Sequence, residues 1–205
     1  MFTGCEDKKP DQSTIPDETR TSATIQKKER QDVDDSKNTS HDTLSTAEQI
    51  ADNVFTFHDM NKTTYTATLT EKNMLLQNNT KPIVLLQFFA TWCAPCVGEV
   101  AYLKDLQEAY KKDLFTAGVL IRDEIDDTAL NAFIAEHGIT YEILQQSGRK
   151  DIALHIAKEL DIQGTLPIPL IILYLNGKYY THYEGSVPVE MVKYDIEQAK
   201  KQLKK

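Results

Sequence analysis

Two cysteines with two residues between them, directly preceded by a tryptophan, are the part of this chain best suited to chemistry. They form the string Trp92-Cys93-Ala94-Pro95-Cys96, where an apolar run meets a pattern of helical spacing. A cysteine in the first turn of a helix lies beside unpaired backbone N–H groups, which together with the helix dipole stabilise its thiolate. Because a stabilised thiolate is a nucleophile and a good leaving group, the pair predicts thiol–disulfide exchange.

Three residues of this segment have predicted roles in that exchange. Cys93 is the expected nucleophile because it lies nearer to the solvent-facing start of the helix, and Cys96, one turn inward, is the expected resolving thiol. Glu99 follows Cys96 by three positions and therefore shares its helix face, which makes it a candidate proton relay. The alternatives are two inert buried cysteines and a solvated glutamate paired with Lys104.

The composition argues against several other uses of cysteine. The chain has 205 residues, with only three cysteines and five histidines, whereas a zinc site needs about four ligands; no metal is predicted. Val97 follows Cys96 where a c-type haem attachment motif has histidine, and no other cofactor is indicated. The net charge of −8 argues against a nucleic-acid partner. No apolar run approaches the roughly 20 residues of a membrane-spanning helix.

The chain divides into a polar tail and a domain. Residues 1–50 are predicted to form a disordered tether, because they hold too few apolar side chains to offset chain entropy, and residues 51–205 form the predicted domain. Within the tail, Phe2-Thr3-Gly4-Cys5 resembles the end of a bacterial lipoprotein signal, which would lipidate Cys5 and attach the protein to a membrane. The alternative is a free thiol on a flexible tail.

The apolar pattern predicts an α/β domain that places the cysteines at a strand-to-helix junction. Alternation predicts a hairpin of Val54–Phe57 and Thr64–Leu69, and the continuous run Ile83–Ala90 predicts a strand buried on both faces. Ser186 is the expected cap of a final helix that ends at Leu203. The other predicted elements are strand Leu114–Arg122, helix Asp126–His137, strand Ile139–Leu144, helix Arg149–Leu160, and strands Pro169–Leu175 and Lys178–Glu184, joined by a turn at Asn176-Gly177.

This order of elements, with W-C-x-x-C at a helix start and a proline before the last hairpin, resembles the thioredoxin fold. Gly177 follows Pro169 by eight positions and Gly185 follows Gly177 by eight, as in thioredoxins, where the corresponding proline is cis and faces the active disulfide. The resemblance therefore implies a cis-proline loop at Ile168-Pro169, with Pro167 as a rival.

The string from Phe89 to Glu99, the N-terminal β-hairpin and the central αβα insert look most like the TlpA/ResA-like branch of that superfamily. Glu99 matches a functional glutamate of the branch. Gln87 stands where thioredoxin has a buried aspartate, and Ala101 stands where the branch commonly has proline, so the helix after Cys96 should lack a proline kink. Members of the branch are typically extracytoplasmic, membrane-tethered oxidoreductases, often reductants in cytochrome c maturation.

The resemblance also implies a surface for the partner protein. If Pro169 is cis, the backbone of Ile168 is free to pair with an extended partner chain, and Gly185 leaves room for that chain. The other residues expected to bind the partner are Trp92, Ala94 and Pro95. The alternative for Pro169 is a strand-edge proline without substrate contact.

The sequence therefore predicts an extracytoplasmic thiol–disulfide oxidoreductase without a bound cofactor. Its expected partners are cysteine-containing proteins and an upstream redox protein, and we expect it to be a monomer that acts as a reductant. Two alternatives stay open. One is a tethered thioredoxin-fold binding module in which the cysteines form a structural disulfide, and the other is a peroxiredoxin-like peroxidase.

Overall fold

The structure, a computed structural model, describes residues 53–148 and 150–204. The predicted tether, with Cys5, lies outside these residues. The strands are β1 Val54–His58, β2 Thr64–Thr70, β3 Asn73–Leu76, β4 Ile83–Phe89, β5 Leu114–Leu120, β6 Glu142–Ser147, β7 Leu170–Leu175 and β8 Lys178–Glu184. The helices are α1 Ala94–Ala109, α2 Asp127–His137, α3 Ile152–Glu159 and α4 Val189–Leu203.

All these strands join one mixed sheet in the order β3-β2-β1-β6-β5-β4-β7-β8. At its centre β4 runs parallel to β5 and antiparallel to β7. Every residue of β4 is buried, as predicted for a strand covered on both faces. Between β5 and β7 the chain forms α2, β6 and α3, which is the predicted αβα insert. The predicted α/β class with a mixed central sheet is confirmed.

Side chains of β4 alternate between two cores, and this alternation positions a polar residue below the cysteine helix. Ile83, Leu85 and Phe89 pack in the core that includes α1, α2 and α4, whereas the intervening residues pack against α3 and the first three strands. Gln87 lies on the same face of β4 as Leu85 and Phe89, and its side chain reaches α1. The alternation along one strand therefore brings an amide to the helix that starts at the cysteines.

The predicted hairpin of β1 and β2 is confirmed, but it continues into a third strand that the sequence pattern did not reveal. β3 pairs antiparallel with β2 through a turn at Glu71 and Lys72, which have φ values of 47° and 67°. Two positive φ values suit a two-residue hairpin turn, but the usual Asn-Gly or Asp-Gly signal is absent from these positions. The N–H of Met74 donates to the carbonyl of Gly177 at 2.8 Å, so β3 also contacts the β7–β8 turn.

Two further predictions about boundaries are wrong. The strand expected at Ile139–Leu144 begins at Glu142, because Ile139 and Tyr141 already pack in the core from the loop before it. Ser186 does not cap α4; the N-cap is Pro188, without a side-chain hydrogen bond. Within the described residues, no helix has both the length and the apolarity needed to cross a membrane.

Substituting Gly118 tests the packing of the central strands. An added Cβ would lie 2.8 Å from Phe89 Cε1 and 2.9 Å from Ile143 Cδ1. Gly118→Ala is therefore expected to lower the free energy of unfolding by about 1–3 kcal/mol, measured by urea denaturation. Gly98→Ala is the control, since its Cβ meets nothing within 4 Å in α1, and it should stabilise the protein by about 0.5–1 kcal/mol. Equal stability of the two variants would contradict this packing.

Candidate active site

The cysteine pair lies at the start of α1, as predicted. Cys93 and Cys96 form a disulfide with their Cα atoms 5.3 Å apart. Cys93 is the N-cap residue of α1, and its Sγ accepts a hydrogen bond from the N–H of Cys96 at 3.3 Å. Pro95 stands in the first turn, where its missing N–H costs nothing. The sulfur of Cys93 therefore replaces one of the side-chain oxygens that usually accept from the first turn of a helix.

The two cysteines differ in their access to solvent. Cys93 keeps 4% of its surface exposed, and Cys96 is fully buried. Because thiol–disulfide exchange requires a partner sulfur to approach in line, the sulfur with remaining access is the one that a partner reaches first. This difference supports Cys93 as nucleophile and Cys96 as resolving thiol, an assignment that stays a prediction.

Glu99 is buried, with 2% of its surface exposed, beside the resolving cysteine. Gln87 on β4 donates from Nε2 to Glu99 Oε2 at 2.8 Å and to the carbonyl of Cys96 at 3.3 Å. One amide thus ties the carboxyl group and the helix turn of Cys96 to the central strand. The alternative of a solvated glutamate paired with Lys104 is wrong.

Burial raises the pKa of Glu99 above its usual value. The Tyr102 hydroxyl and the Gln87 amide act in the opposite direction because they favour the ionised form, and the Val187 N–H and Ser186 hydroxyl add smaller effects. Tyr102 acts on Glu99 as a nearby hydroxyl dipole and not through a hydrogen bond of normal geometry, since Glu99 Oε1 and Tyr102 Oη are both buried without a partner. The group is therefore suited to gaining and losing a proton next to Cys96.

The loop before Cys93 is fixed by two residues that sequence reasoning missed. The N–H and hydroxyl of Thr91 donate to Asp123 Oδ2 at 2.6 and 2.7 Å. Trp92, 64% exposed, donates from Nε1 to the carbonyl of Arg122 at 3.2 Å. Only their position in the chain could have indicated this role. Arg122 and Asp123 follow the carboxyl end of β5, and in a parallel pair this end lies beside the carboxyl end of β4.

The peptide bond between Ile168 and Pro169 is cis. The cis-proline is therefore Pro169, as expected, and not the alternative Pro167. Leu170 pairs with Phe88, which places Pro169 at the end of the sheet where β4 leads to the cysteines. Ile168 packs against the core that contains both cysteines. The N–H of Gly185 donates to the carbonyl of Pro169 at 2.8 Å, so these predicted partner-binding residues are joined.

Ala94 and Pro95 are exposed at the helix start, next to exposed Trp92. The structure thus brings all the predicted site residues of the domain to one end of the sheet. A cavity of about 790 Å³ lies elsewhere, around Phe55 and His155. Within residues 53–148 and 150–204, no three His, Cys, Asp or Glu side chains form a group that would hold a metal ion.

Comparison with known proteins gives consistent matches. The Redoxin family model matches residues 52–169. The thiol–disulfide oxidoreductase ResA of Bacillus thuringiensis is 32% identical over 72 residues, which is 35% of this chain and 41% of that protein. ResA of Geobacillus thermodenitrificans is 30% identical over 121 residues, 57% of this chain and 63% of that protein. The chain thus spans less than two thirds of either curated relative.

A solved structure shows the same fold. The crystal structure of a thiol:disulfide interchange protein of the thioredoxin family from Chlorobium tepidum superposes with a TM-score of 0.53, covering 72% of this chain and 93% of that chain. The sequence identity is 15%. At this identity the likeness concerns the fold, which is the thioredoxin fold that the sequence predicted.

Replacing Glu99 tests the proton relay. In the reduced protein, ionised Glu99 would accept the proton of Cys96, so the rate of exchange should rise with pH through a Glu99 pKa that burial raises. Glu99→Gln is expected to lower this rate by about 10²-fold or more and to remove that rise. Stopped-flow kinetics of disulfide reduction between pH 4 and 9 measure both effects. A variant with an unchanged pH profile would contradict the relay.

Tyr102→Phe tests the neighbouring hydroxyl. Because this hydroxyl favours ionised Glu99, its removal should raise the Glu99 pKa and move the pH profile of exchange to higher pH. Tyr110→Phe is a matched control at the C-cap of the same helix, since Tyr110 donates to Glu197 Oε1 at 2.9 Å, remote from the cysteines. Profiles that shift equally in the two variants would show that the Tyr102 hydroxyl has no specific effect on Glu99.

Proposed function

The chain belongs to the Redoxin family, as a TlpA/ResA-like protein with the thioredoxin fold, and from this we propose that it is a thiol–disulfide oxidoreductase acting on cysteine-containing proteins outside the cytoplasm. The observation that carries the proposal is the Cys93–Cys96 disulfide at a helix start, with buried Glu99 held by Gln87 beside Cys96. A structural disulfide does not need a buried carboxyl group near the inner cysteine. Thiol–disulfide exchange does, because the proton of Cys96 must be accepted before its sulfur can attack.

Reduction of a partner proceeds in two displacements. The thiolate of Cys93 attacks one sulfur of the partner disulfide, and the other partner sulfur leaves with the electron pair and takes a proton. Glu99 then accepts the proton of Cys96, whose thiolate attacks Cys93 Sγ and releases the second partner sulfur, which is protonated in turn. The partner gains two electrons and two protons, and this chain is left with its disulfide. An upstream dithiol protein must then reduce that disulfide.

The partner is expected to bind at the end of the sheet where Pro169 lies. The backbone of Ile168 is positioned to pair with an extended cysteine-containing segment. Gly185 adds no side chain there, and exposed Trp92, Ala94 and Pro95 form the rest of the contact surface. Such pairing relies on backbone hydrogen bonds, so it tolerates different partner sequences.

The reductive direction is supported by the carboxyl group of Glu99, one helix turn from Cys96. An ionised carboxylate near a cysteine raises the thiol pKa and so destabilises the thiolate. A reduced form that is not stabilised gives a more negative reduction potential, which suits an electron donor. The finer role that we propose is reduction of protein disulfides in cytochrome c maturation, as a monomer tethered to a membrane through lipidated Cys5.

Cysteine substitutions test this function in an insulin-reduction assay with dithiothreitol as the electron source. Cys93→Ser should reduce turnover to the uncatalysed rate, and Cys96→Ser should accumulate a mixed disulfide with the substrate that dithiothreitol cleaves. Cys5→Ser is the matched control, because the third cysteine should leave turnover unchanged.

Other results would favour other functions. Normal turnover by Cys93→Ser would contradict the nucleophile assignment. A wild-type protein without reductase activity would favour the binding module with a structural disulfide, and peroxide consumption that survives Cys96→Ser would favour the peroxidase.

A further inference from the structure

Arg122 contacts both segments that border the exposed end of the cysteine site. Its carbonyl accepts the hydrogen bond from Trp92 Nε1 at 3.2 Å, and its Nη2 donates to the carbonyl of Leu166 at 2.7 Å. Leu166 precedes Pro169 by three residues. We call the surface between Trp92 and residues 164–169 the partner groove. Arg122 spans it from one side to the other.

The backbone of Arg122 has a conformation that a non-glycine residue adopts at a cost. Its φ is 52°, in the left-handed region, which costs of the order of 1 kcal/mol for most side chains. Such a conformation persists where the surrounding contacts determine it. Here the next residue, Asp123, is fixed by Thr91, and the carbonyl of Arg122 is directed to the Trp92 indole.

The guanidinium of Arg122 reaches across the groove to the carbonyl of Leu166. It remains exposed, and one of its five donors bonds to Leu166 while the planar fork leaves others directed to solvent. A cleft of about 180 Å³, lined by Arg122, Leu154 and Leu166 among others, opens beside it. Arg122 therefore separates the cysteine end of the groove from a partly apolar cleft that has room for a neighbouring partner side chain.

We propose that Arg122 is a positioning residue that holds Trp92 and the segment before Pro169 at a fixed separation, and so pre-organises the partner groove for an extended cysteine-containing segment. This inference rests on the proposed function. Pre-organisation lowers the entropy that binding must otherwise remove, so Arg122 contributes to partner affinity and not to the sulfur chemistry. A small disulfide does not occupy the groove, so its rate of reaction should not depend on Arg122.

The test compares Arg122→Asn with Lys62→Asn in the full chain. Asparagine tolerates a positive φ but is too short to bridge to Leu166. Lys62 is the matched control, because it is also an exposed basic residue with a positive φ, 63°, and its Nζ contacts Asp127 at 2.7 Å, in a different part of the fold. Arg122→Gly is a second variant, since glycine suits φ of 52° and preserves the carbonyl that accepts from Trp92.

The disulfide-containing peptide is assayed in the steady state with dithiothreitol as the electron source. The small disulfide 5,5′-dithiobis(2-nitrobenzoic acid) is assayed in a single turnover with pre-reduced protein, because dithiothreitol reduces it directly. Both Arg122 variants should raise KM for the peptide about fivefold, the factor expected from one lost hydrogen bond, with kcat within about twofold. Their rate with the small disulfide should equal that of the wild type. Lys62→Asn should change neither.

Fluorescence gives an independent readout, because Trp92 is the only tryptophan of the chain. Both Arg122 variants keep the carbonyl that accepts from Trp92 but lose the side-chain bond to Leu166 that holds this loop, so the anisotropy should fall in both and stay unchanged in Lys62→Asn. An unchanged peptide KM, an equal loss with the small disulfide, or the same effect in Lys62→Asn would each overturn the role of Arg122. A wild-type protein that reduces neither substrate would instead refute the proposed function.

Discussion

The hydrogen bond from Gln87 to Glu99 joins the central strand to the cysteine helix inside the core. Each hydrogen bond between a buried carboxyl group and a buried amide matters to stability, because unpaired polar groups in an apolar core cost several kcal/mol. Their contact, 2.8 Å long, fixes which turn of α1 faces β4. Cys96 lies one turn before Glu99, and its carbonyl accepts from the same amide, so the position of the inner sulfur follows from this contact.

The same contact has a chemical consequence. Glu99 loses its water shell, which raises its pKa, and the amide of Gln87 ties it to the helix turn of Cys96, where we propose that it relays a proton. The burial of Glu99 therefore links the stability of the helix start to the reactivity of the disulfide. Trp92 and the cis-proline loop carry no charge and form the surface where we propose that a partner binds.

The features that depend on local pattern were predictable from the sequence. The helix start at Cys93, the fully buried β4 and the bounds of β8 follow from capping, apolar runs and turn signals. The roles of Arg122 and Tyr102 were not predictable from spacing. Arg122 bonds to Leu166, which is distant in the chain, and Tyr102 has a buried hydroxyl without a partner. Strand β3 was missed because the Glu71-Lys72 turn has the required φ values without the usual turn residues.

The central claim is that the Cys93–Cys96 pair is an exchanging, reducing couple whose thiolate is disfavoured by the neighbouring carboxylate. Redox equilibration with glutathione or thioredoxin buffers, followed by the fluorescence of Trp92, measures its reduction potential directly. The account predicts a value close to that of thioredoxin, about −270 mV. A value close to that of the oxidant DsbA, about −120 mV, would contradict it, because it would require a reduced form that the site stabilises.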